Sequence, residues 1–215
     1  RRRRQLGGWP VVSRLMRTSE IASLPVVTVG GDDIAQVKDV VFSADGGAVA
    51  GFTLAGRGLL AGPLKDGLAW SNVRGLGPDA VIIEHADLLE PVDGVLVAAT
   101  SSHENAGSGG DVLGDRVLTD TGTDLGKVAD VVIEYDNATG GACDVVGYEI
   151  EASDALKEST SKSKHTRLLL PLPDTLAASS EHVMVPASAE QFVSQDLAGF
   201  GAAVQAFRAQ LGGQS

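Results

Sequence analysis

The chain has a single cysteine, Cys143. No intrachain disulfide can form, so no disulfide framework holds the fold, and the cytoplasm is the simplest compartment to expect. Aromatic side chains are only 4% of the residues, so any core must be built from Val, Leu, Ile and Ala. No apolar run approaches the roughly 20 residues that span a bilayer, and none has the form of a signal-peptide core. The first residue is Arg1 rather than Met, which leaves room for an upstream segment. Histidines are few: His85, His103, His165 and His182 stand alone, none at helical spacing from another or from Cys143, so no zinc pattern exists. No phosphate-binding glycine loop, dinucleotide glycine motif or Gly-x-Ser-x-Gly elbow occurs. Asp120, Gly122 and Asp124 resemble a calcium loop only in part, without the full acidic series or the distant Glu. The expectation is a protein with no metal, no cofactor and no catalytic residue.

Positive charge is scarce in one half. Residues 1–100 hold 10 basic and 11 acidic side chains, whereas residues 101–215 hold 7 and 17, a net of −10 in a chain of net −11. Such a half repels phosphate backbones, so nucleic acid is not the expected partner. Its one basic patch is Lys157, Lys162, Lys164 and Arg167, a candidate surface for an acidic partner.

What the sequence does contain is an echo. Ile34-Ala35-Gln36-Val37-Lys38-Asp39-Val40-Val41-Phe42 returns as Leu125-Gly126-Lys127-Val128-Ala129-Asp130-Val131-Val132-Ile133, at a constant offset of 91. Each segment is followed by a Gly-rich turn and a second apolar run, in which Gly51-Phe52 corresponds to Gly147-Tyr148 at an offset of 96. Such turns between β-branched runs are hairpin signals, because their central residues need φ > 0. A closing run, Ala80 to Ile83, matches His182 to Val185 at an offset of 102. Each copy is then roughly 60–80 residues, too long for a solenoid repeat and suited to a small β domain.

These residues resemble the PRC-barrel family. Copy two carries the pattern most fully: Leu113-Gly114, Val117, the turn at Gly122, then Leu125-Gly126-x-Val128-x-Asp130-Val131. Copy one is similar from Leu24 to Leu54 but has Ala35 in place of Gly126. The resemblance implies two tandem small β-barrels. The family includes the cytoplasmic part of the photosynthetic reaction-centre H subunit and a ribosome maturation factor, and it implies a docking surface rather than an active site. The motif residues are Asp39, Gly51, Gly114, Gly122, Gly126, Asp130 and Gly147. Gly122 suits a tight turn and Gly126 a bend inside a strand. The two aspartates, set within apolar strands, read as acceptors for backbone N–H groups or as part of a ligand site.

The expected organisation is a tail at 1–13, a first barrel at 14–100, a flexible linker at 101–110, a second barrel at 111–186 and a C-terminal helix at 187–215. Arg14 to Ser23 reads as a short helix, and Pro91 to Thr100 as an apolar segment of unassigned type. The helix at 187–215 carries an apolar seam of Val193, Leu197, Phe200, Val204, Phe207 and Leu211, with a capping-box pattern at Ser188 and Gln191. The seam offers either packing on the protein's own sheets, the favoured reading, or a homodimer through residues 188–211. The functional expectation is a non-enzymatic adaptor that binds a protein partner through its barrel surfaces. The alternatives are a ribosome-assembly or RNA-processing accessory factor, and a small-ligand or metal binder in the cleft between barrels.

Overall fold

A computed structural model describes residues 14–43, 46–58, 61–100, 112–136, 141–159, 167–173, 177–178 and 182–213. The first described element is strand β1 (Arg14–Arg17), followed by one helical turn, α1 (Thr18–Ile21), where a single helix was expected. Strands β2 (Pro25–Thr28), β3 (Asp33–Phe42), β4 (Val49–Ala55), β5 (Pro63–Ala69), β6 (Val73–Leu76), β7 (Val81–Ile83) and β8 (Glu90–Pro91) follow, and then helix α2 (Val92–Thr100). Beyond it come β9 (Arg116–Thr119), β10 (Asp124–Tyr135), β11 (Cys143–Ala152), the short α3 (Asp154–Ser159), β12 (Arg167–Pro171), β13 (Ala177–Ala178), β14 (His182–Val185) and α4 (Leu197–Gly212). The expected linker at 101–110 lies outside the described residues. No helix among the described residues is long and apolar enough to cross a membrane.

The strands form two seven-stranded sheets of matching order. The first runs β6-β7-β2-β3-β4-β5-β8, and the second runs β13-β14-β9-β10-β11-β12 with β1 added on β10. Each contains one parallel pair, β2 with β7 and β9 with β14, among antiparallel neighbours. Two closed barrels, as expected from the sequence, are not shown: among the described residues each hydrogen-bonded path stays open. At one edge a short segment covers the last strand instead, β8 against β5 and Ser194 against Leu169 of β12. Blunting an edge in this way removes the template for pairing with another chain.

Corresponding turns repeat atom for atom. Gly31 and Gly122 have φ of +92° and +87°, and each donates its N–H at 2.9 Å to the carbonyl of a threonine three residues earlier. Ser23, the one non-glycine with positive φ among the described residues, stands where the second sheet has Gly114. Both donate to a strand carbonyl, Ser23 to Val37 at 2.9 Å and Gly114 to Val128 at 2.8 Å. A β-bulge precedes Asp39 in β3 and another precedes Asp130 in β10.

Each sheet also receives a helix on its outer face, over a glycine. A Cβ at Gly51 would lie 2.8 Å from Val95 of α2, and one at Gly147 would lie 2.3 Å from Phe200 of α4. So Pro91 to Thr100, unassigned in the sequence, is β8 joined to α2. The seam on α4 packs inside the protein: Phe200 and Val204 sit on Val132, Val146 and Leu169, and Phe207 joins the main core. This explains the unbroken Val131-Val132-Ile133 run in β10. Val131 and Ile133 face the main core while Val132 faces α4, so both sides of the strand are buried. The C-terminal helix is shorter than expected. Residues Ala187–Phe192 form a 3-10 turn, and α4 starts after Asp196, whose side chain accepts the Gly199 N–H at 2.9 Å.

The main core is continuous across both sheets. Three contacts hold the seam between them. Trp70 Nε1 donates to the Gly141 carbonyl at 2.6 Å, Val145 N to the Gly47 carbonyl at 2.9 Å, and Ala48 forms an antiparallel bridge with Asp144. Ala48 and Asp144 occupy corresponding positions, at the offset of 96 that relates Gly51 to Gly147. An antiparallel bridge between corresponding residues is the pairing that a local two-fold axis produces.

Candidate functional site

The chain enters the second sheet before it builds the first. β1 pairs antiparallel with β10, from Arg14 opposite Tyr135 to Arg17 opposite Val132. Strap and sheet are then locked by two carboxylates. Glu149 on β11 is buried, 6% exposed, and bridges two guanidinium groups, Arg17 Nε at 2.5 Å and Arg167 Nη1 at 3.0 Å. Burial works against the Arg17 charge, yet its hydrogen bonds and attraction to Glu149 and Glu20 outweigh that and raise its pKa. Asp130 is 5% exposed. Its Oδ1 accepts from Thr18 Oγ1 at 2.9 Å, Ser19 N at 3.2 Å and Val131 N at 2.8 Å, and its Oδ2 accepts from Ser19 Oγ.

Asp39, the matching residue of the first sheet, has a different environment. Its side chain is 65% exposed. Oδ2 accepts from Thr53 Oγ1 at 3.3 Å and lies 3.4 Å from Lys38 Nζ. Yet the two aspartates line one cleft. Its volume is about 200 Å³, and its walls come in corresponding pairs: Ala22 with Leu113, Lys38 with Ala129, Asp39 with Asp130, and Val40 with Val131. Thr18 and Ser19 of the strap, Phe42 and Val112 complete it. Residues from both halves of the sequence echo thus meet in one place. Apolar and polar side chains share the cleft walls, and Leu113 among them is 56% accessible.

A larger cavity of about 460 Å³ opens beside Arg116, Asp124, Gly126, Lys127, Glu151 and Ser153. Arg116 is paired with Asp124, which also accepts the Gly126 N–H at 2.9 Å. Its charges balance and its mouth is open, so it offers a ligand little desolvation, and the smaller seam cleft is the better candidate site. Gly126 has φ +131°, and a Cβ there would lie 2.0 Å from the Glu151 carbonyl oxygen. Only glycine permits that approach of β10 to β11.

The remaining motif residues are dispersed. Gly51 and Gly147 sit under helices, and Gly114 and Gly122 form turns in which an added Cβ would meet nothing within 4 Å. Two members of the basic patch are engaged: Lys157 pairs with Asp154 at 3.3 Å and Arg167 with Glu149. Lys162 and Lys164 lie outside the described residues. No group of three or more His, Cys, Asp or Glu side chains placed to hold a metal occurs among the described residues. Cys143 is buried, and burial, then Asp144 and Asp136, push its thiol far up, which leaves it protonated and unreactive at neutral pH. Sequence reasoning missed Thr18, Ser19, Arg17 and Glu149. Their signal was absent because their partners are more than 100 residues away, or, for Glu149, look like an ordinary solvent-facing strand position.

A mainly β fold of curled mixed sheets with a C-terminal helix is the class these elements define. Residues 14–88 match the PRC-barrel domain. Among curated proteins none matches the chain.

Proposed function

We propose that the chain is a non-enzymatic docking module. In this reading the second sheet is a second PRC-barrel-type unit, fused to the first about a local two-fold, and the cleft on that axis takes a side chain or short segment of a protein partner. The observation that carries the reading is Leu113, 56% exposed on the wall of a cleft that both motif aspartates also line. The cleft's 200 Å³ is below the roughly 300–1,000 Å³ of small-molecule sites and suits one anchoring side chain. A ribosome-linked role rests on the family resemblance alone, and the net −10 of residues 101–215 weighs against it. A homodimer through residues 188–211 loses its motive, because the seam that motivated it is packed on the protein's own sheet.

The test places a photo-crosslinking amino acid at position 113 and identifies what it captures in native lysate. The captured protein is then titrated against the purified wild type and Leu113→Asp. The expected result is a discrete, stoichiometric partner whose affinity drops at least tenfold with Leu113→Asp. Equal affinity of the two proteins overturns the reading.

A further inference from the structure

Asp39 and Asp130 are the same motif residue in two states of engagement. Both follow a bulge in the long central strand of their sheet, and both face one cleft. At Asp130 a polypeptide segment fills the carboxylate: two hydroxyls and two main-chain N–H groups converge on its two oxygens, three of the four donors coming from Thr18 and Ser19. An ionised carboxylate offers about four acceptor positions. Asp39 uses fewer, through Thr53 and Lys38 at 3.3 and 3.4 Å, and no donor among the described residues reaches its Oδ1. The chain therefore displays, at one of two matched positions, the ligand chemistry that suits the other.

We infer that Asp39 is a capping carboxylate for an incoming protein segment that carries a Ser or Thr hydroxyl and exposed main-chain N–H groups. The proposal rests on the docking reading above and names the chemistry of the partner. Hydrogen bonding to the carboxylate anion supplies the complementarity, and Leu113 and Val40 supply apolar contact beside it. The segment needs no arginine. At Asp130 the strap is also held by Arg17 on Glu149, but the position corresponding to Glu149 is Thr53, which has no charge to offer. A free cation is a poorer occupant, because Lys38 already places a positive charge beside the carboxylate.

The experiment uses the full chain, isotopically labelled, and a synthetic peptide copying residues 15–22 with Arg17→Ala. Amide shifts are followed during titration. Saturable shifts are expected at Asp39, Val40 and Leu113. The affinity is expected to fall about tenfold or more with Asp39→Asn, or when Thr18 and Ser19 of the peptide are both alanine, as loss of hydrogen bonds to a charged group requires. Asp39 is exposed, so Asp39→Asn is expected to keep the wild-type melting temperature. Unchanged affinity with Asp39→Asn, or shifts confined to the strap contacts around Asp130, overturns the proposal. Equal binding of the alanine peptide overturns the capping chemistry while leaving a docking cleft. Failure of the docking reading looks different: Leu113→Asp then leaves the affinity of the crosslinked partner unchanged, whatever the peptide does at Asp39.

Discussion

Replacing Asp130 and Asp39 one at a time separates sequence equivalence from physical role. Asp130→Ala removes an acceptor that is 5% exposed and receives four hydrogen bonds. Each hydrogen bond to a charged group contributes about 1.5–3 kcal/mol. The sum overstates the loss, because Ser19 lies at the surface and water replaces part of what it gives up. Val131 N–H, inside the sheet, has no such replacement. A net cost of about 2–4 kcal/mol follows, which for a chain of this length lowers Tm by roughly 5–15 °C. Asp39→Ala removes a side chain that is 65% exposed, with contacts at 3.3 and 3.4 Å. Exposed pairs of this kind are worth less than about 1 kcal/mol, so Tm should move by about 2 °C or less. Thermal unfolding by circular dichroism measures both. Hydrogen exchange adds a local readout: Asp130→Ala should loosen the amides of β1, and Asp39→Ala should not. Equal shifts in Tm for the two variants, or full protection of β1 in Asp130→Ala, would refute the anchoring role of the strap.

Gly147→Ala should displace α4, because the new Cβ meets Phe200 Cζ at 2.3 Å and the Leu170 carbonyl oxygen at 2.6 Å. A cost of about 1–3 kcal/mol is expected from overpacking, read as a lower urea midpoint, with increased exchange along α4. At high pH the stability should fall. Burial, with a smaller effect of Asp115, pushes the Tyr148 phenol up to about 12, above its ordinary value of about 10. Its neutral form is favoured in the fold, so this contribution is complete below pH ~10 and is lost as pH rises through about 12. Tyr148→Phe should flatten the stability profile over that window, and an unchanged slope would refute the assignment. Cys143, also pushed up by burial, acts with the same sign.

The long central strands were legible because their apolar runs are long, echo one another and are closed by turns with few alternatives. The turns share a position even where their sequences differ: Gly31, between Gly30 and Asp32, takes the same φ > 0 position as Gly122, between Thr121 and Thr123. The pairing of β1 was not legible. Arg14-Leu15-Met16-Arg17 suits a helix or an edge strand equally well, and what decides is Arg17 meeting Glu149, 132 residues away. α2 was hidden for a related reason. Val92 to Thr100 is apolar nearly all round and contains Gly94, so neither period stands out. It is a helix because Val95 fits over Gly51, a contact no local pattern encodes. The start of α4 shows the reverse error. Ser188 and Gln191 satisfy a capping pattern and fall in a 3-10 turn, but Val193 then docks in the core and Ser194 bridges Leu169, so the α-helix starts only after Asp196.

The unequal surroundings of Asp39 and Asp130 follow from one asymmetry, the strap. A single chain has one segment before its first sheet, and here that segment runs onto the second. The second sheet accordingly carries Glu149 for Arg17 and a buried Asp130 for Thr18 and Ser19. At the corresponding places the first sheet has Thr53 and an exposed Asp39 with Lys38 beside it. The acidic residues of the second motif are therefore explained by folding, and those of the first are not. A carboxylate that is exposed and only weakly engaged, lining one cleft with an exposed leucine, is the part of this molecule best suited to an external partner.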